Sequence, residues 1–147
     1  MSRYSIIFFI GFLMLITGCH FSSQYLDEES EKEAAEKTTS KFYELVKTKQ
    51  FTKAEVLFSE QFFTVTSRKD LQNLFVNTQK ILGNYKSSRI IEWKTKRSEG
   101  AISLNQYLLI YEVEYQHYKA KETIDLIKEG NVIKIRGYNI NSNGFLK

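Results

Sequence analysis

Gly83 divides this chain into two halves that cannot share a secondary structure. Before it, apolar side chains recur every three or four residues; after it, they alternate. The first spacing lines one face of a helix and the second lines one face of a strand. The order is therefore helices first and strands afterwards.

In the first half, Ser30-Glu31-Lys32-Glu33 reads as a capping box, with carboxylates in the turn where the helix dipole favours them. Ala35, Thr39, Phe42, Leu45 and Val46 then predict an amphipathic helix to about Lys49. Thr52-Lys53-Ala54-Glu55 reads as a second capping box, with Phe51 and Val56 at the positions of a hydrophobic staple and a short helix through about Ser59. Phe62 to Thr66 favours β structure and predicts a small strand. Ser67-Arg68-Lys69-Asp70 opens a third helix, with Leu71, Leu74, Phe75, Thr78 and Leu82 along one face and Gly83 as its stop.

In the second half, residues 86–97, 102–118, 122–128 and 132–140 read as strands. Turns fall at 98–101 and at Glu129-Gly130-Asn131. Four consecutive strands with short connections pair as an antiparallel meander. The fold class is thus α+β, with N-terminal helices packed on one face of a four-stranded sheet. At 147 residues the chain has room for one domain with a full core, placed at 30–147.

The residues Phe42-Tyr43-Glu44-Leu45, Phe51-Thr52-Lys53-Ala54, Leu82-Gly83-Asn84-Tyr85 and Val132 to Tyr138 carry a resemblance over about Glu33 to Ile140. Their order is similar to the cystatin-like, cone-shaped fold of the nuclear transport factor two superfamily, and resembles small bacterial lipoproteins of that group. The resemblance implies a helix-covered curved sheet and brings no catalytic residues.

The N-terminus carries a separate signal. Arg3 precedes an apolar run from Ile6 to Ile16, and Ile16-Thr17-Gly18-Cys19 closes it. As a helix that run reaches only about 16 Å, against a hydrocarbon core of about 30 Å, so it is too short to span. Its layout is that of a secretory signal peptide, a signal helix ahead of the domain. Ile16 to Cys19 resembles the lipobox of bacterial lipoproteins. The resemblance implies cleavage between Gly18 and Cys19, diacylglycerol on the Cys19 sulfur, and an acyl chain such as palmitate on the new amino group. Residues 1–18 are then the signal peptide and 19–29 a tether. Several acyl chains together make membrane release negligible. His20, not aspartate, follows the cysteine. By resemblance this favours the periplasmic face of the outer membrane, with the outer face of the cytoplasmic membrane as the alternative.

Composition then removes function classes. Cys19 is the only cysteine and there are two histidines, so there is no internal disulfide and no cysteine-based zinc site. Neither metal nor cofactor is expected beyond the lipid on Cys19. Acidic residues crowd into 27–36, whereas from Lys37 onward 19 basic residues face 11 acidic ones, so a chain of net charge +4 has an acidic neck and a basic head. Lys94, Lys96 and Arg97 form a basic cluster too small to argue for nucleic acid. No nucleophile elbow or phosphate loop is present.

The remaining candidate is aromatic. Trp93, Tyr107, Tyr111, Tyr115 and His117 are expected on one sheet face, where they form either a ligand pocket, with His117 as acid or base, or simply core. The nearest acids in sequence, Glu112 and Glu114, alternate to the other face, and nothing singles out Asp125. No catalytic residue is therefore assigned. The expected function is a non-catalytic, membrane-anchored interaction module with a protein partner in the envelope, serving assembly, secretion or immunity. The alternative is a periplasmic carrier holding a small ligand in the aromatic pocket.

Overall fold

A computed structural model describes residues 29–99 and 104–146 and the backbone of 22–24. The signal helix, Gly18, Cys19 and residues 100–101 of the expected turn lie outside the described residues, while Ser98 and Glu99, expected in that turn, end β2 (Tyr85–Glu99). In chain order the elements are β1 (Ser22–Gln24), α1 (Glu29–Lys47), α2 (Phe51–Glu55), α3 (Glu60–Phe63), α4 (Arg68–Leu82), β2 (Tyr85–Glu99), β3 (Leu104–Tyr115), β4 (Lys119–Glu129) and β5 (Val132–Asn141). A 3-10 turn, Asn143–Leu146, follows. The fold is α+β, helices before strands, and the period change at Gly83 marks the boundary. No helix among the described residues is long and apolar enough to cross a membrane.

The long strands form an antiparallel meander in the order β2-β3-β4-β5. To this the structure adds a strand the alternation did not reveal: β1, in the expected tether, pairs with the end of β2 as Ser22↔Glu99, Ser23↔Ser98 and Gln24↔Arg97. Three residues are too few to show a period. At the other edge the chain between α2 and α3 lies along β5, with Phe58 bridged in parallel to Ile135. Ile135 N–H donates to the Leu57 carbonyl and Ser59 N–H to the Ile135 carbonyl, each at 2.8 Å.

The helix signals met different fates. Ser67 Oγ accepts from Asp70 N–H and starts α4 as expected. Gly83 ends α4 at φ +86°, where a Cβ would come within 2.6 Å of Gln116 Cβ, so both conformation and space require glycine there. The Thr52 box does not form: α2 begins at Phe51, its cap is Gln50, and no side chain caps it. The staple fails too, because Val56 is 66% exposed while Phe51 packs on Phe75 at 5.4 Å between ring centroids. The strand expected at 62–66 is instead α3 and a following turn, initiated by Ser59, whose Oγ accepts from Phe62 N–H at 3.1 Å. A serine cap there outweighs the β preference of Phe62, Phe63 and Val65.

The core lies between α1, α4 and the inner face of the sheet. From the helices it takes Phe42, Leu45, Leu71, Phe75 and Leu82; from the strands, Leu109, Val113, Ile124, Leu126 and Ile135. Burying side chains of this size contributes roughly 1.5–3 kcal/mol each.

Candidate functional site

Because side chains alternate along a strand, β3 sends Tyr107, Tyr111 and Tyr115 to the face under α1, and the structure brings these three into one row. All are buried, and each hydroxyl finds a partner. Tyr107 donates to Glu31 at 2.6 Å and Tyr111 shares a 2.6 Å bond with Thr39, both on α1. Tyr115 donates to Glu122 at 2.6 Å. Trp93 is half-buried beside them, with Lys32 Nζ 5.7 Å from its ring centroid. His117 is not in the row. It lies past the end of β3, exposed in the turn to β4, with its backbone N–H on the Leu82 carbonyl. The expected strand ran to residue 118; the turn intervenes at 116, and alternation no longer governs where His117 points.

Of the row, only Tyr111 borders a large space, the surface groove between α1 and β2; the space beside Tyr107 and Tyr115 is nearly filled. A hollow of ≈ 10 Å³ remains by Phe75, Thr78, Tyr115 and Tyr138, and another of ≈ 10 Å³ by Glu31, Thr95, Asn105 and Tyr107. Each is about the size of one water. Burial pushes the Tyr111 hydroxyl up to about 12, against the Thr39 hydrogen bond. Burial likewise raises Tyr107 and Tyr115 far above the ordinary tyrosine range. These groups stay protonated and act as donors.

The unexpected member is Glu122, fully buried on β4. Its Oε2 accepts from Tyr43 at 3.0 Å and Tyr138 at 2.9 Å, and its Oε1 accepts from Tyr115. Three elements, α1, β3 and β5, thus each send one phenol to a single carboxyl group. Burial raises its pKa above the ordinary glutamate range, and the three phenol bonds oppose that rise. The signal was present in the sequence: Ala120, Glu122, Ile124 and Leu126 alternate together, so Glu122 had to face inward with them.

The larger space lies outside the core. An open groove of ≈ 610 Å³ runs between α1 and the start of β2. Tyr43, Tyr85 and Tyr111 contribute aromatic surface to it, and Glu36, Glu44 and Lys86 contribute charge. Tyr43 and Tyr85 stack there, 5.2 Å apart and 18° from parallel.

Among the described residues no group of three His, Cys, Asp or Glu side chains is placed to hold a metal ion. In comparisons with known proteins, no family model, no curated protein and no solved structure matches this chain.

Proposed function

We propose that this protein is a lipid-anchored, non-catalytic interaction module that recognises another protein at the bacterial cell envelope. One observation carries the reading: the space between helices and sheet is filled, with hollows of ≈ 10 Å³, while the ≈ 610 Å³ groove is on the surface. Ligand sites are clefts or cavities of about 300–1,000 Å³ that bury most of a drug-sized ligand; the two hollows fall far short of that, and the groove reaches it only as an open surface channel. A carrier using Tyr107 and Tyr115 would have to open its own core, since only Tyr111 of the row reaches the surface groove. The lipobox-like Ile16 to Cys19 supports the anchor, and β1, only three residues past Cys19, supports a domain held close to the lipid.

The test is capture of the tagged, lipidated protein from its own envelope, followed by analysis of the eluate for proteins and, by native mass spectrometry, for small molecules. A stoichiometric protein released by high salt is the expected result. A bound metabolite with no protein would transfer the reading to the carrier. Cys19→Ser is expected to move the protein from the membrane to the soluble fraction, read by fractionation and immunoblot; unchanged membrane association would remove the anchor from the proposal.

A further inference from the structure

We infer that the outer edge of β2 accepts an extended segment of the partner protein as an added antiparallel strand, and that this segment alternates acidic with apolar residues. The inference rests on the interaction-module reading and names how that module binds.

The edge comes first. β2 has 15 residues and pairs with β3 along nearly all of them on one side. On the other side, among the described residues, only Arg97 to Glu99 have a strand partner, the three residues of β1. From Tyr85 to Lys96 a row of backbone groups faces outward, the arrangement that strand addition uses. The chain already makes this contact with itself at β1, so the edge accepts a strand where one is supplied. The groove runs beside the same edge and is lined by Tyr85, Ser88 and Ile90 of β2.

The register assigns a chemistry to the added strand. Ser88, Ile90, Trp93 and Thr95 lie opposite Val113, Tyr111, Leu109 and Tyr107, so they belong to the face under α1. Arg89, Glu92, Lys94 and Lys96 lie opposite Glu112, Ile110, Leu108 and Gln106, on the other face. A segment laid against β2 therefore places alternate side chains beside Ile90, Trp93 and the tyrosines of the groove, where apolar groups fit. Its remaining side chains sit beside Arg89, Glu92, Lys94 and Lys96; Arg89 pairs with Glu112 at 2.9 Å and Lys94 with Glu92 at 3.0 Å, and incoming carboxylates join a β2 face on which cations outnumber carboxylates. Over its whole length β2 carries five basic and two acidic residues.

A second copy of this chain fits less well. Two β2 strands paired antiparallel about Ile91 set Lys86 against Lys96, and like charges directly opposite are destabilising. Register shifts between Tyr85 and Ser87 and between Ile90 and Glu92 bend this edge for any incoming strand, which must follow them as β3 does on the other side. Bulges and edge lysines are devices that prevent a sheet from pairing with itself. A strand bringing negative charge meets no such barrier from the lysines.

The probe is a soluble peptide of alternating glutamate and valine, compared with one of alternating lysine and valine. Binding is measured by titration and located by amide hydrogen exchange on the full chain. The expected result is slowed exchange confined to 85–96, with the acidic peptide binding about tenfold or more tighter than the basic one. Lys94→Glu with Lys96→Glu should reverse that preference, while Lys121→Glu on the central strand β4 should leave it unchanged. Equal binding of the two peptides, or slowed exchange along β5, overturns the inference. So does slowed exchange at 85–96 on dimerisation without peptide, which assigns the edge to a second copy. The same protection on vesicles of anionic lipid, with no preference between peptides, assigns it to the membrane and also overturns the inference. A stoichiometric envelope partner that binds the Lys94→Glu/Lys96→Glu protein undiminished leaves the module reading standing and removes strand addition alone.

Discussion

Phe42 and Tyr43 are neighbours on α1 and look into two kinds of interior. Phe42 packs in the apolar core among the rings of Phe58 and Phe75 at 5.9 Å and Tyr138 at 5.3 Å between centroids. Tyr43 meets rings and a carboxyl group: Tyr85 stacked, Tyr111 edge-on at 5.1 Å, and Glu122 at the end of its hydroxyl. Tyr138 belongs to both regions, with its ring on Phe42 and its hydroxyl on Glu122. The phenylalanine side is held by apolar area and packing, which have no direction. The tyrosine side is held by hydrogen bonds that must each point at one of two oxygens. The first region should respond to changes of volume and the second to changes of polarity.

Phe42→Ala tests the volume side and should have the largest effect. A fully buried phenylalanine cut to alanine costs about 3–5 kcal/mol, measured by urea unfolding, whereas Phe42→Leu should recover much of the loss. An equal loss from both would show that shape, not volume, governs the cluster.

Glu122→Leu tests the polar side with little change of size. It removes a buried acid but leaves the Tyr43, Tyr115 and Tyr138 hydroxyls without their acceptor, at about 1–3 kcal/mol for each hydroxyl that finds no other. A net loss of about 3 kcal/mol in the same unfolding experiment is expected. Neutral behaviour would mean that the three phenols find other partners, and the distinction between the regions would collapse.

The third test is pH. Burial raises the folded-state pKa of Glu122 above its ordinary value of 4.5, so between those two values the folded chain holds a proton that the unfolded chain has released. Its contribution to stability is fully present below about 4.5 and is lost as pH rises through the folded value. Glu122→Gln, which cannot titrate, should therefore gain on the wild type as pH rises across that window. A constant difference between the two proteins across the window would place the folded pKa at its ordinary value. Smallest is Tyr43→Phe, which keeps the ring and deletes one donor. It should cost about 1–2 kcal/mol and raise the pH at which Glu122 titrates, since one bond to the ionised form is gone.

What the sequence made legible follows the same division. Volume and period are visible in a list of residues: the α4 face through Leu71, Phe75 and Leu82 and the alternation of β3 are both read from spacing. Local polar signals are less secure because they compete. Thr52 reads as a cap and Ser59 as the end of a helix, but Ser59 caps α3 and Thr52 caps nothing, since Phe51, packed on Phe75, already lies in α2. The aromatic row was legible as a row, but not that its hydroxyls would be taken up by Glu31, Thr39 and Glu122. Those partners lie on α1 and β4, and only the packing of helix on sheet brings them together. Glu122 is legible from its alternation with Ala120, Ile124 and Leu126 in β4, against the usual preference of a strand glutamate for water.

The two edges of the sheet are also unlike. Both edges carry bulges, but along β5 the outward backbone groups are also taken at Ile135, where Leu57 and Ser59 already occupy them. A sheet occupied at one edge has a valency of one: whatever strand it accepts at the other, the pairing ends there. On the proposed strand addition, such a domain caps a β-structure and does not relay it.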